Sequence, residues 1–166
     1  SKPCKYGIKV FALVDARMQY TYNLEIYCGK QPEGQYASVS FKPHDVVEKM
    51  CTPVFGTGRN LTIDNWFTSY DIIKKMKTDH NITIVDTVRK NKRELPPQFV
   101  SAKNREPHSS LFGFQEDMTF VSYVPKQWKP VGFFCSMHND ETIDDSKGQM
   151  RKTEFMKFYN ATTGAV

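Results

Sequence analysis

The 166 residues are enough for one domain with its own core and few for two. With 39% hydrophobic and 13% aromatic residues the composition excludes a disordered tail, and no apolar run approaches the roughly 20 residues that span a bilayer. A formal net charge of +5 fits an anionic partner without demanding one.

Gly7 to Val14 is an apolar, β-branched run that stops at Asp15, and it reads as a buried strand with a carboxylate at its C-terminal end. Tyr20 to Cys28, bounded by Gly29, reads as a second strand pairing with the first as a hairpin. Lys30 to Lys42 is turn-rich, with room for a third short strand. Val46, Val47 and Met50 recur at helical spacing after Pro43, a helix-starting residue. Pro53 and Gly56 break the chain before a short strand, Asn60 to Ile63, delivers Asp64. Ser69 to Thr78 sets Ile72, Ile73 and Met76 along one face and Lys74, Lys75 and Lys77 mostly on the other, which predicts an amphipathic helix. Asn81 to Val88 is the next strand, closed by a basic cluster and Pro96-Pro97.

After Pro97 the character changes. Phe99 to Ser110 is polar and irregular. Leu111 to Phe114, Thr119 to Val124 and Val131 to Ser136 read as an antiparallel meander, either an insertion or a separate subsheet. His138 to Lys152 reads as an exposed loop, and Phe155 to Tyr159 is a last apolar patch. The order as a whole is mixed α/β.

Two strands far apart in sequence end in aspartate. Were they neighbours in one sheet, Asp15 and Asp64 would share a cleft, where two carboxylates repel unless protonated or bridged by a cation. Hard cations such as Mg²⁺ prefer such oxygen ligands, and carboxylate-held metals suit phosphodiester chemistry. The plainer reading of either aspartate is a turn or helix-cap residue. Arg89-Lys90-Asn91-Lys92-Arg93 is likewise a phosphate-contacting edge, a nuclear-localisation signal or a solvated loop. Trp66 and Phe67 are either base-stacking groups or core. His44, His80, His108 and His138 show no ligand spacing. Cys4, Cys28, Cys51 and Cys135 lie too far apart for a CxxC clamp and read as reduced thiols. The glycosylation sequons at Asn60, Asn81 and Asn160 read as accidental.

Four blocks occur in order: Lys5-Tyr6-Gly7-Ile8-Lys9, Asp64-Asn65-Trp66-Phe67-Thr68-Ser69, the run Thr87 to Pro96, and Tyr159-Asn160 with Gly164 and Val166. Together they resemble the transposase domain of the piggyBac family, including its host-domesticated derivatives, over essentially the whole chain. The resemblance implies an RNase H-like mixed sheet flanked by helices, with a core over 1–97, a β-rich insertion over 98–152 and a return to the core over 153–166. It implies three aspartates holding two Mg²⁺ ions. The first matches Asp15 and the second Asp64; the third would follow Val166, so this piece alone is expected to be inactive. It also implies double-stranded DNA as partner, both transposon ends and TTAA-type target. Hairpin intermediates would arise by water attack and then 3′-hydroxyl attack. A homodimer in the full-length protein, a nuclear location and a cysteine-rich zinc module downstream are implied too. The family's DNA-contacting basic block maps onto Arg89 and Lys92, with Arg93 beside them.

The chain departs from the family's pattern at Asp86, where glycine is usual, at Ala16-Arg17-Met18 and at Gly164-Ala165-Val166. An exposed Asp86 would weaken phosphate attraction. These departures leave a second expectation open, a domesticated and catalytically inactive DNA-binding protein. A third, a secreted binding domain with disulfides and glycans, predicts paired cysteines and exposed Asn60 and Asn81.

Overall fold

The computed structural model describes residues 7–27, 29, 40–138, 143–144 and 152–163. The chain divides into two compact units, Ser1–Val54 and Phe55–Gly164.

In the first unit, β1 (Lys9–Val14) and β2 (Thr21–Tyr27) form an antiparallel ribbon, with Val10 opposite Ile26 and Ala12 opposite Leu24. The expected hairpin is therefore present. Helix α1 (Pro43–Cys51) starts on Pro43 and buries Val46, Val47, Met50 and Cys51. Asn23 ties the ribbon to it by donating from Nδ2 to the Met50 carbonyl at 3.2 Å. A single 3₁₀ turn, Thr52–Val54, follows. The expectation that Gly7 to Val14 is a buried strand is corrected, since only Phe11 of β1 is buried. A two-stranded ribbon has one helix to cover it, and alternation leaves Val10, Leu24 and Ile26 exposed on the other face. The short strand expected within Lys30 to Lys42 lies largely outside the described residues.

The second unit holds a five-stranded mixed sheet in the order β3 (Asn60–Leu61), β4 (Thr83–Val88), β7 (Lys129–Cys135), β6 (Met118–Lys126) and β5 (Ser110–Gln115). Strands β3 and β4 run parallel, and the helix between them, α2 (Tyr70–His80), makes the crossover that parallel strands require. Both ends of α2 are specified by sequence. Ser69 Oγ accepts the Ile72 N–H at the start, and Asn81 closes the helix at φ +53, where asparagine tolerates the left-handed conformation. Ile72, Ile73 and Met76 are fully buried, as their spacing predicts.

The remaining pairings are antiparallel. Because β7 pairs with β4 from Val85–Cys135 to Val88–Gly132, the meander extends the sheet that begins at β3 and is not a separate subsheet. Gly132 makes that junction tight. A Cβ there would come within 2.8 Å of the Phe120 ring and 3.0 Å of a Val88 methyl.

The polar stretch after Pro97 begins with one helical turn, α3 (Pro97–Val100), and is pinned to β6 by Arg105. Its guanidinium donates to Ser122 Oγ at 2.7 Å and to the Ser122 carbonyl at 2.6 Å. Within His138 to Lys152, the described Ile143–Asp144 (β8) pairs with β9 (Lys152–Thr153). The apolar patch Phe155 to Tyr159 belongs to a helix, α4 (Glu154–Thr162).

Strand β4 is the hub of this unit. Val85 packs in one cluster with Val121, Tyr123, Phe133, Cys135 and Met156, against which Phe158 and Tyr159 of α4 also pack. By alternation Ile84, Asp86 and Val88 point to the opposite face. No described helix is long and apolar enough to cross a membrane.

Candidate functional site

Asp64 leaves β3 three residues after Leu61 and is exposed. Its Oδ1 accepts the Trp66 N–H at 2.8 Å, and its carbonyl accepts the Phe67 N–H at 2.8 Å. The cap-like reading of this aspartate is therefore realised as an Asx turn leading into α2. Accepting one N–H occupies part of one carboxylate oxygen and leaves hard-oxygen donor capacity of the kind Mg²⁺ takes. Trp66 and Phe67 are half-buried and meet edge to face, with ring centroids 4.8 Å apart.

Arg89 follows β4 directly, and its Nε donates to Asn65 Oδ1 at 2.9 Å. One side chain thus brings the start of the basic block to the Asp64 turn. Arg89 and Arg93 are exposed and Lys92 is half-exposed. The backbone after β4 turns through Lys92 N–H to the Arg89 carbonyl and Leu95 N–H to the Lys92 carbonyl. Asp15 belongs to the first unit, where its Oδ1 accepts the N–H groups of Arg17 and Met18, each at 2.8 Å. It too is a turn former. Among the described residues, no three His, Cys, Asp or Glu side chains gather as a metal cluster.

Asp86 is a site-adjacent residue whose placement the sequence did not reveal. The structure buries it completely, opposite Phe134 of β7, so it is no exposed repulsive charge at the basic block. Its Oδ2 is bonded by the Thr68 hydroxyl, and Thr68 is also fully buried. Its Oδ1 has no hydrogen-bond partner among the described residues. Burial pushes the Asp86 carboxyl up to about 7; the Thr68 hydroxyl and the Thr87 backbone oppose the shift, and the charge of Asp64 adds to it. The Tyr159 phenol is raised by burial, less a hydrogen bond with Thr87 at 3.5 Å, and raised further by the charges of Asp86 and Asp64. These residues form one electrostatic neighbourhood around β4.

The described histidines have structural contacts. His80 stacks on Phe55 at 3.7 Å, His108 Nδ1 bonds the Tyr123 hydroxyl at 2.9 Å, and His138 Nδ1 lies 3.3 Å from Cys135 Sγ. Cys51 and Cys135 are buried thiols, not disulfides, and burial pushes the Cys51 thiol up to about 12.

A family model described as transposase IS4 matches residues 1–166. A solved piggyBac transposase, in a synaptic complex with hairpin DNA, is 36% identical in sequence and superposes with a TM-score of 0.87. The match covers 99% of this chain and 34% of that one, so the chain spans about a third of the relative's length. No curated protein sequence matches. A match along every residue, together with a superposition of this closeness, places the chain in the IS4 transposase family, among its piggyBac-type members.

Proposed function

We propose that the chain is part of the catalytic domain of a DNA transposase with an RNase H-like core. The observation that carries this is the Asp64–Asn65–Arg89 arrangement, in which the residue next to the exposed Asp64 carboxylate accepts from the Arg89 guanidinium at 2.9 Å. Its setting, in a chain so similar to a transposase bound to hairpin DNA, supports the same reading. Asp15 and Asp64 would hold Mg²⁺, whose role when bound is to polarise phosphate oxygens and favour the attacking hydroxide. Arg89, Lys92 and Arg93 would contact phosphates of transposon ends and a TTAA-type target, holding the strand against the Asp64 turn. Attack by water breaks a P–O3′ bond and frees a 3′-hydroxyl, which then attacks the phosphorus of a second phosphodiester and displaces the 3′-oxygen of the attacked strand. Homodimer assembly and a nuclear location belong to the same reading.

The test is Asp64→Asn in the intact protein. The amide still accepts the Trp66 N–H, so the fold should stand while strand cleavage is lost. Cleavage at the wild-type rate would remove Asp64 from the site. A second reading, a domesticated DNA-binding protein, is favoured by Ala16-Arg17-Met18 standing beside Asp15 where the family's pattern has small residues. It predicts DNA binding in wild-type protein with no cleavage for Asp64→Asn to abolish.

A further inference from the structure

The metal and DNA roles leave Asp86 unused. A fully buried carboxylate facing apolar neighbours is costly unless a partner compensates it, and Thr68 is the side chain that does so. The Thr68 hydroxyl has one proton and two acceptors within reach, Asp86 Oδ2 and the Asp64 carbonyl at 3.4 Å. The carboxylate is the closer of the two acceptors and holds the hydroxyl. Thr68 is thereby fixed beneath the Asp64 turn. A second tie, Arg89 to Asn65, lies on the exposed side, where solvent competes and such a bond is weak. The buried tie is made away from water and is the stronger.

We propose that Asp86 is a positioning residue: through Thr68 it anchors the Asp64–Phe67 turn to β4 and so fixes the Asp64 carboxylate relative to Arg89. This deepens the reading of Asp64 as a site residue and rests on it for its catalytic consequence. The hydrogen bond itself is a matter of this chain alone.

Amide hydrogen exchange on the whole chain, without DNA or metal, tests it. The reporters are the Trp66 and Phe67 N–H groups, which close the turn, and the references are Val85 and Phe133 in the sheet. Thr68→Val keeps the volume and removes the hydroxyl, and Asp86→Ala removes the acceptor. Each should lower turn protection about tenfold while leaving the references unchanged, the effect of one lost buried bond. Thr68→Ser and Asp86→Asn keep donor and acceptor and should retain wild-type protection. Unchanged protection in Thr68→Val would overturn the proposal, as would equal loss in Asp86→Asn. Loss shared by the reference amides would overturn it too, since the bond would then support the fold and not the turn. Failure of the cleavage assay above would sink the catalytic reading without touching this result.

Discussion

The Asp64 carboxylate orders a turn and stays exposed, and a single N–H at 2.8 Å does not prevent it from serving a cation. Asp86 is the opposite case, with no exposed surface and a carboxyl raised to about 7. Its folded value lies about three pH units above the ordinary one, so between about pH 4 and 7 the native state binds more protons than the unfolded chain. Stability from this group is therefore full below pH 4 and is lost as pH rises through 7, by on the order of 4 kcal/mol over the whole window. Asp86→Asn keeps the acceptor and cannot titrate. The wild-type advantage over Asp86→Asn in urea midpoint should shrink from pH 5 to pH 8, and parallel pH profiles would refute the assignment. The turn at Asp64 could be read from its place between a strand and a helix. The burial of Asp86 could not, because Ile84, Val85 and Val88 mark β4 as apolar without saying which layer covers Asp86.

At the scale of elements, local chemistry specified α2 almost completely: Ser69 begins it, Asn81 ends it, and Ile72, Ile73 and Met76 face inward. The pairing of the strands was a different matter. Leu111 to Ser136 announces a meander, but the partner of its last strand is β4, forty-odd residues upstream, and no local signal names it. Gly132 is where that pairing shows in a single residue. Gly132→Val should destabilise the second unit by about 2–3 kcal/mol, since the Phe120 ring and the Val88 methyl leave no room for a side chain. Phe120→Leu in the same background should recover part of the loss, measured as a double-mutant cycle in urea; simple additivity would count against the contact. Helix α4 was legible only as a short apolar patch because its role is tertiary: Met156 and Tyr159 are recognisable as core only once Val85 and Phe133 are seen beneath them.

At the scale of the molecule, the net charge of +5 is modest, so the proposed DNA binding should depend on where the cations sit. Arg89→Ala should weaken duplex binding and lower the slope of log K against log salt by about one, the loss of one phosphate contact. Lys126→Ala, an exposed cation at the end of β6, should leave the slope unchanged. An equal drop in both variants would show net charge acting alone. Residue types and spacing determined, without any tertiary information, the α/β class, most strand and helix positions, the piggyBac-type blocks, and with them Asp64 and the basic run as candidates. These are local properties, carried by periodicity, caps and short unbroken motifs. Only the tertiary structure decided that Arg89 meets the Asp64 turn through Asn65, that the meander completes the sheet of β3 and β4, and that Asp86 is buried under Thr68. Each of those joins residues about twenty or more apart in the chain, and what brings them together is the packing of whole layers, which no single segment encodes.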